Sequence, residues 1–373
     1  MGDRTIRLVF VVHSLSAGGA QRVICSMANH WSDQGWDVSV ITLAAGAEDR
    51  FRLHPSVRRV ALDLMRDSSN ILTGLWRNCR RIYRLRQAII SCAPDVVISF
   101  VDKTNVLTLL AARNVPVIVA ERTDPRHHSI GRLWSWLRRR TYGSAAAVVV
   151  QTENVRRAIS GLVAAGALHV VPNAVSVPKV PLDENADRGN YVVGMGRLSP
   201  EKGFDLLIDA WKQVENRHPG WTLRIYGEGP EHSKLEQVAA RASRVELPGW
   251  TARPTDTYLC ATIFVLPSRY EGFPNALLEA MACGVPAISF DCESGPAEII
   301  RHEVDGLLVP PADTAALAAA IDRLISDTEL RNAMGQRARD VVERFSVAEF
   351  YESWEKLCFA AAARRSRKTV EGN

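Results

Sequence analysis

Residues 268–286 read SRYEGFPNALLEAMACGVP and set two glutamates, Glu271 and Glu279, on either side of a Phe-Pro-Asn turn. The apolar residues Ala276, Leu277, Leu278, Ala280 and Met281 predict a helix from Asn275 to Cys283, closed by Gly284. Glu271 then lies in the preceding loop and Glu279 about one turn inside, with the helix N-terminus between the two carboxylates. The plainer alternative makes Glu271 a loop charge and Glu279 a surface residue, although its apolar neighbours weigh against a solvated Glu279. A second loop, GMGRLSPEKG, puts Arg197 and Lys202 ahead of a helix. A guanidinium fork and an ammonium point charge together suit a diphosphate; solvated surface charges are the alternative.

Two further loops carry glycines. In SAGGAQR, Gly18 and Gly19 let the backbone approach a ligand at a helix N-terminus, where free N–H groups favour an anion; a tight strand-to-helix turn explains them equally. YGEGPEH resembles half of a dinucleotide fingerprint, with Gly227 and Gly229 but His232 where a third glycine belongs. It is weak support for NAD and suits a glycine-lined shelf for a base or sugar, with Trp250 one strand later.

These loops need strands to hold them. Strand patterns occur at IRLVFVV, DVSVITL, DVVISF, VPVIVAE and AAAVVVQ, then at NYVVGMG, WTLRIYG, RVELPG, TIFVLPS, VPAISFD and GLLVP, alternating with helical segments. Strands alternating with helices predict βαβ units, parallel sheets and an α/β fold, with ligands beyond the carboxyl ends of the strands. A proline- and acid-rich stretch at 176–189 reads as a linker between domains at 1–175 and 190–345. A last helix is expected at 346–363, before a disordered basic tail at 364–373.

The chain has 373 residues, 47% hydrophobic and 23% charged, which fits two globular domains rather than a disordered chain. Its seven cysteines are dispersed and contain no Cys-x-x-Cys, so reduced core thiols are expected rather than bridges or a zinc site. No apolar run is long enough to span a bilayer, and the opening segment reads as a strand rather than a leader, so a cytoplasmic protein is expected. The net charge of +5 is uneven: residues 1–180 hold 24 Lys and Arg against 12 Asp and Glu, or +12, leaving −7 for the remainder. A basic half predicts contact with phosphate, on nucleic acid or on an anionic membrane.

RYEGFPNALLEAMACGVPAIS, with seven residues between its glutamates, together with GRLSPEKG, YGEGP and GGAQR, resembles the retaining glycosyltransferases of family 4. The resemblance runs in order over nearly the whole chain. It implies the GT-B fold, two Rossmann-like doubly wound domains facing across a cleft, with the last helix crossing back to the first domain. It further implies that Glu271 hydrogen-bonds sugar hydroxyls and Glu279 the nucleotide ribose, positioning a donor rather than serving as general acid and base. Arg197 and Lys202 would hold the donor diphosphate, helped by Gly19 and by backbone N–H groups near Pro274 and Asn275; Gly18, Gly227, Trp250, Phe273 and Ala276 complete the expected donor contacts. Fixed cations stabilise the leaving diphosphate most in the transition state, and the chain has no Asp-x-Asp, so neither metal nor cofactor is expected. In this family retention is described as front-face attack within an ion pair, which requires no enzymic nucleophile.

One position departs from the pattern. Many members have a histidine after the fifth strand, where this chain has VAERTDPRHH and Arg122, expected as a third phosphate cation or an acceptor group; His127 and His128 read as loop residues. The basic half adds two clusters. Residues 74–91 predict a helix with Arg77, Arg80, Arg81 and Arg84 opposite Leu75, Ile82 and Ile89, interrupted by Arg86, and GRLWSWLRRR mixes Trp134, Trp136 and Leu137 with Arg132, Arg138, Arg139 and Arg140. Either is a solvated face or a contact surface. The first-domain order is similar to transferases that extend polyprenyl-diphosphate-linked glycans in bacteria, the N-acetylgalactosaminyl transferase of bacterial N-glycosylation among them. There the corresponding basic helix contacts the lipid diphosphate. The expected partners are thus a nucleotide sugar, UDP-linked by that resemblance, a lipid-linked glycan acceptor and an anionic membrane surface, and no nucleic acid. Alternatives are a nucleotide-sugar epimerase or NAD-type oxidoreductase, a transferase with a soluble acceptor, and a non-catalytic nucleic-acid- or membrane-binding module. The last leaves the glutamate pair and Arg197/Lys202 without a use.

Overall fold

The structure is a computed structural model that describes residues 5–16, 18–65, 71–127, 129–177 and 188–370. The chain forms two compact units. One runs to Pro172 and takes in the chain again from Phe350; the other is Asn173–Glu349. His128 and most of the expected linker, residues 178–187, lie outside the described residues, as do 371–373.

In the first unit the elements are β1 (Arg7–Val12), α1 (Gly19–Asp33), β2 (Asp37–Thr42), β3 (Arg58–Ala61), α2 (Ile71–Cys92), β4 (Val96–Phe100), α3 (Asp102–Ala111), β5 (Val117–Ala120), α4 (Arg132–Thr141), β6 (Ala147–Val150), α5 (Glu153–Ile159) and β7 (Leu168–Val170). All strands pair in parallel, in the order β3-β2-β1-β4-β5-β6-β7. Order reverses between β1 and β4, which opens a crevice at their carboxyl ends. Every residue of β4, β5 and β6 is buried, as strands covered on both faces require. Val9, Val97 and Val119 pack with Leu85, Ile89 and Leu107 of the helices on one face. On the other, Phe10 stacks on Trp31 at 5.9 Å and Phe100 meets Trp354 at 6.2 Å.

The second unit repeats the plan with β8 (Tyr191–Met195), α6 (Phe204–Lys212), β9 (Thr222–Tyr226), α7 (His232–Ala239), β10 (Val245–Gly249), α8 (Pro254–Cys260), β11 (Ile263–Leu266), α9 (Asn275–Ala282), β12 (Ala287–Phe290), α10 (Pro296–Ile299), β13 (Gly306–Val309), α11 (Thr314–Ser326), α12 (Thr328–Ala338) and α13 (Val341–Arg344). Its parallel order is β10-β9-β8-β11-β12-β13, with the reversal between β8 and β11. Leu207, Trp211, Leu317 and Ile321 fill one face; Tyr258, Leu277, Leu278 and Met281 fill the other.

The last helix, α14 (Val347–Val370), differs from expectation: it does not give way to a disordered tail at 364. From Phe350 it belongs to the first unit, where Trp354 is fully buried and Glu355 accepts from Trp31 Nε1 at 3.1 Å. Arg364, though exposed, donates to Ala146 O at 3.0 Å, and the half-buried Arg365 donates to Pro94 O, so the first two tail arginines bond loop carbonyls.

Candidate functional site

The second unit assembles its site from loops at the carboxyl ends of β8, β9, β11 and β12. Lys202, in the loop after β8, donates to Glu271 Oε1 at 2.6 Å, and Ser268 Oγ donates to the same oxygen at 2.7 Å. Glu271 is 6% exposed and Lys202 24%, so a nearly buried carboxylate meets a cation that still reaches solvent. The two residues were expected on different parts of a ligand; here they are partners. Their loops are also locked through Arg269, which donates to both oxygens of Asp205 at 2.9 and 2.7 Å and to Pro200 O at 2.7 Å. Burial works against ionised Asp205, but the Arg269 hydrogen bonds and charge outweigh it and hold the carboxyl below its usual range.

Gly227 and Gly229 have a structural reason of their own. A Cβ on Gly227, at φ 147°, would lie 1.8 Å from Gly196 O, and one on Gly229 would lie 2.2 Å from Leu198 O. Leu198 N donates to Glu228 O at 2.9 Å and Glu231 N to Leu198 O at 3.0 Å, so the β9 loop is laid directly on the loop that carries Arg197. Arg197 itself is exposed. Trp250, 42% exposed, follows β10.

The glutamate motif folds as expected around α9. Pro274 is its N-cap, no side chain caps it and no acid stands in its first turn, so the first N–H groups are open to an anion. Glu279 is half-buried one turn in, and Asn275 Oδ1 accepts from Asn173 Nδ2 at 2.6 Å. Phe273 turns inward, 7% exposed with its ring 5.6 Å from Phe345, and Ala276 packs on the same core, so neither acts through an exposed side chain. Sequence reasoning missed the loop after β12. Gly295, at φ 98°, packs where a Cβ would stand 2.6 Å from Pro274 Cδ, and the buried Cys292 thiol is pushed up to about 12 by burial and by Glu271. The Gly295-Pro296 pair, just inside α10, was the readable signal.

In the first unit, Gly18 precedes an α1 N-terminus that has no side-chain cap and no acid in its first turn. Gly18 is in extended backbone at φ 166°, which other residues adopt, and Gly19 is exposed. Val101, at the carboxyl end of β4, has φ 75°, a strained conformation for a β-branched residue. Arg122 lies over the Phe100 ring at 4.6 Å and the Trp354 ring at 5.9 Å; burial brings its guanidinium down to about 9 against the charge of Glu121. Contact with aromatic rings, not projection into the loop, is what the structure gives for this residue.

The basic clusters are corrected in detail. Arg138 is 8% exposed, and Trp134 packs with Leu137 on the core, so neither belongs to the outer face of α4. That face is Arg132, Leu133, Trp136, Arg139 and Arg140, with Arg140 5.4 Å from the Trp136 ring. On α2, Arg77 and Arg81 are half-buried; Arg81 Nε donates to Leu64 O at 3.2 Å and its charge depresses His13, after burial has done so. Arg80 and Arg84 share the exposed side with Trp76, Tyr83 and Ile90, while Leu75's side chain lies outside the described residues. Arg86, which interrupts the apolar face in sequence, donates to Ala111 O and Leu110 O and closes the end of α3.

Comparison with known proteins follows the same division of the chain. Residues 18–174 match the glycosyl transferase 4-like domain and residues 182–341 the family of glycosyl transferases group 1. A stretch of 225 residues, 59% of this chain, is 40% identical to an exopolysaccharide phosphotransferase of Streptomyces coelicolor but spans only 24% of that protein. The Campylobacter jejuni GalNAc-alpha-(1->4)-GalNAc-alpha-(1->3)-diNAcBac-PP-undecaprenol alpha-1,4-N-acetyl-D-galactosaminyltransferase is 26% identical over 94% of this chain and 98% of its own. The lipopolysaccharide core biosynthesis glycosyltransferase LpsE of Rhizobium meliloti is 30% identical over 61% of this chain and 68% of its own. Among solved structures, Anabaena HepE in complex with UDP and glucose superposes with a TM-score of 0.76 at 21% identity, covering 94% of this chain and 98% of that one. Two parallel-sheet units, matched in order by the two family descriptions and over two thirds of LpsE, place the chain among the group 1 glycosyltransferases with the GT-B fold.

Proposed function

We propose that the protein is a retaining glycosyltransferase that moves a hexose or N-acetylhexosamine from a nucleotide sugar, UDP-linked, to a lipid-diphosphate-linked glycan during cell-surface glycan synthesis. The observation that carries this reading is the Lys202–Glu271 pair, fixed by Ser268 beside the open N-terminus of α9. Lys202 and Arg197 neutralise the diphosphate as the anomeric bond breaks, Glu271 fixes sugar hydroxyls and Glu279 the ribose. Charge that develops on the leaving group is then met by cations and N–H groups already in place, and no metal is required.

The acceptor class is supported by the Campylobacter relative, whose name specifies an undecaprenol-diphosphate glycan, and the cell-surface setting by LpsE, named for lipopolysaccharide core biosynthesis. Among the described residues no helix is long and apolar enough to cross a membrane. Among the described residues, five of the nine exposed large hydrophobics, Trp76, Tyr83, Ile90, Leu133 and Trp136, lie on α2 and α4 among arginines, which favours peripheral docking on an anionic cytoplasmic surface. Arg80 and Arg84, the exposed pair on α2, take the acceptor diphosphate, with the half-buried Arg77 and Arg81 on the same helix.

The test is to screen UDP-sugars for transfer to an undecaprenyl-diphosphate glycan in excess EDTA and to assign the product anomer by NMR. Transfer with retained configuration is expected. Activity lost on chelation and restored by Mn²⁺ overturns the metal-free mechanism, an inverted product overturns retention, and transfer to soluble glycans alone overturns the acceptor.

A further inference from the structure

The first unit holds a buried polar cluster for which the donor site has no use. Glu121, directly after β5, is 1% exposed and Asp102, at the start of α3, 2%. Thr123 Oγ1 lies 3.0 Å from Asp102 Oδ1 and 3.4 Å from Glu121 Oε1, while the buried Tyr142 hydroxyl donates to Glu121 Oε2 at 2.7 Å. Asn105 Nδ2 in turn donates to Tyr142 Oη at 3.4 Å and to Ala120 O at 3.3 Å. A threonine hydroxyl carries one proton and serves one carboxyl oxygen at a time. With both acids ionised, the second oxygen would face a lone pair, and two negative charges would share a site from which water is excluded.

We propose that Glu121 keeps its proton and donates it to Asp102, and that the bonded pair positions Arg122 at the carboxyl end of β5. Burial pushes the Glu121 carboxyl well above its usual range; the charge of Asp102 and the hydrogen bond to it act in the same direction, and Tyr142 and Arg138 oppose them. The charged and titratable groups that act on Glu121 are Asp102 from α3, Arg138 from α4 and Tyr142 after α4, with Arg122 adjoining it in sequence. Arg138 Nε and Nη1 are buried with no hydrogen-bond partner, so neither of these atoms bonds the acid. Tyr142 is itself pushed well up by burial and then by Glu121, so its hydroxyl stays a donor. The functional consequence rests on the proposed transferase reading: Arg122, held over the Phe100 and Trp354 rings, follows Glu121 directly at the carboxyl end of β5, so the bonded pair fixes the segment from which it acts.

Three measurements test this on the full chain. Difference infrared spectra between the protein and Glu121→Gln at neutral pH should show a protonated-carboxyl C=O band that the variant lacks; no such band overturns the shared proton. Thermal unfolding against pH supplies the second readout. Between the ordinary value of 4.5 and the raised folded value, the unfolded chain releases a proton that the folded chain keeps, so stability falls as pH rises. The folding constant of the parent should decline by up to about tenfold per pH unit relative to Glu121→Gln, which has no proton to lose. A gap between the two that does not change with pH overturns the proposal. In transfer assays, Glu121→Gln should lower kcat less than tenfold and Glu121→Ala at least a hundredfold at equal KM for the donor. Equal kcat in both folded variants overturns the positioning role. If the unmodified protein transfers no sugar, the function fails while the infrared and unfolding results still decide the shared proton.

Discussion

Replacing Glu271 by Gln should have opposite effects on stability and on nucleotide affinity. The substitution keeps side-chain shape and a partner for Ser268 but removes the charge that Lys202 meets at 2.6 Å. A hydrogen bond to a charged group contributes about 1.5–3 kcal/mol, whereas exposed ion pairs contribute about 0.2–1 kcal/mol. With Glu271 6% and Lys202 24% exposed, the pair falls between these limits. A loss of about 1–2 kcal/mol follows, which for a unit of this size lowers Tm by roughly 2–8 °C. The double variant with Lys202→Met should recover about 1 kcal/mol of coupling in a mutant cycle. Binding should move the other way. In the free protein Glu271 competes with any phosphate for the Lys202 ammonium, so Glu271→Gln should bind free UDP up to about tenfold more tightly in calorimetry, a change of ~1.4 kcal/mol, while kcat for transfer falls. Lys202→Met should weaken UDP in the same assay. If Glu271→Gln loses as much UDP affinity as Lys202→Met, the carboxylate supports nucleotide binding instead of competing with it, and the reasoning is refuted.

Gly227→Ala should cost more than 2 kcal/mol and weaken donor binding together, because its Cβ would force the Gly196–Leu198 segment, and with it Arg197, out of place; a soluble variant with unchanged Tm contradicts the close approach. Neutralising Arg139 and Arg140 with Gln should reduce partition onto anionic vesicles roughly thirtyfold, at about 1 kcal/mol per cation, whereas Arg138→Met should leave vesicle binding unchanged; equal release by both sets would return Arg138 to the outer face. Asp205→Asn should remove stability that the parent has above the ordinary value of 3.8 and loses as pH falls through the depressed folded value, so the two proteins should converge in acid; a gap that widens on acidification has the wrong sign.

Much of the fold was legible because buried parallel strands write themselves as β-branched runs. Ile263–Leu266 is apolar and buried throughout, and Val96–Phe100 is buried throughout and apolar except for Ser99, whose hydroxyl donates to Thr108 Oγ1. Edge strands do not. β3 reads RRVA, with both ends exposed, and the three-residue β7 is only partly buried, so neither presents the apolar run that marks a strand. The extension of α14 past 363 was hidden for a related reason. Its arginines look like a solvated tail until Ala146 O and Pro94 O are there to receive them.

At the site, residue type and spacing disclosed which loops matter but not what each side chain touches. Lys202 and Glu271 are 69 residues apart, and their bond exists because β8 and β11 are neighbours in the sheet while distant in sequence. Gly227 looked like a shelf for a base because a glycine that admits a ligand and a glycine that admits another backbone leave the same letter in the sequence. The Gly196 carbonyl 1.8 Å from its Cβ position identifies the backbone as the neighbour. Arginine is the hardest residue to read in this way, since its stem is apolar and its head charged. Arg138, Arg139 and Arg140 are adjacent in sequence, yet the first is buried beside Glu121 and the other two are exposed. Helical periodicity does separate them, 100° per residue, once the core side of α4 is known to be Trp134 and Leu137. Trp134, which in sequence belongs to the same mixed cluster as Trp136, is thus on the core side, and its partial burial there sets which arginines reach the surface.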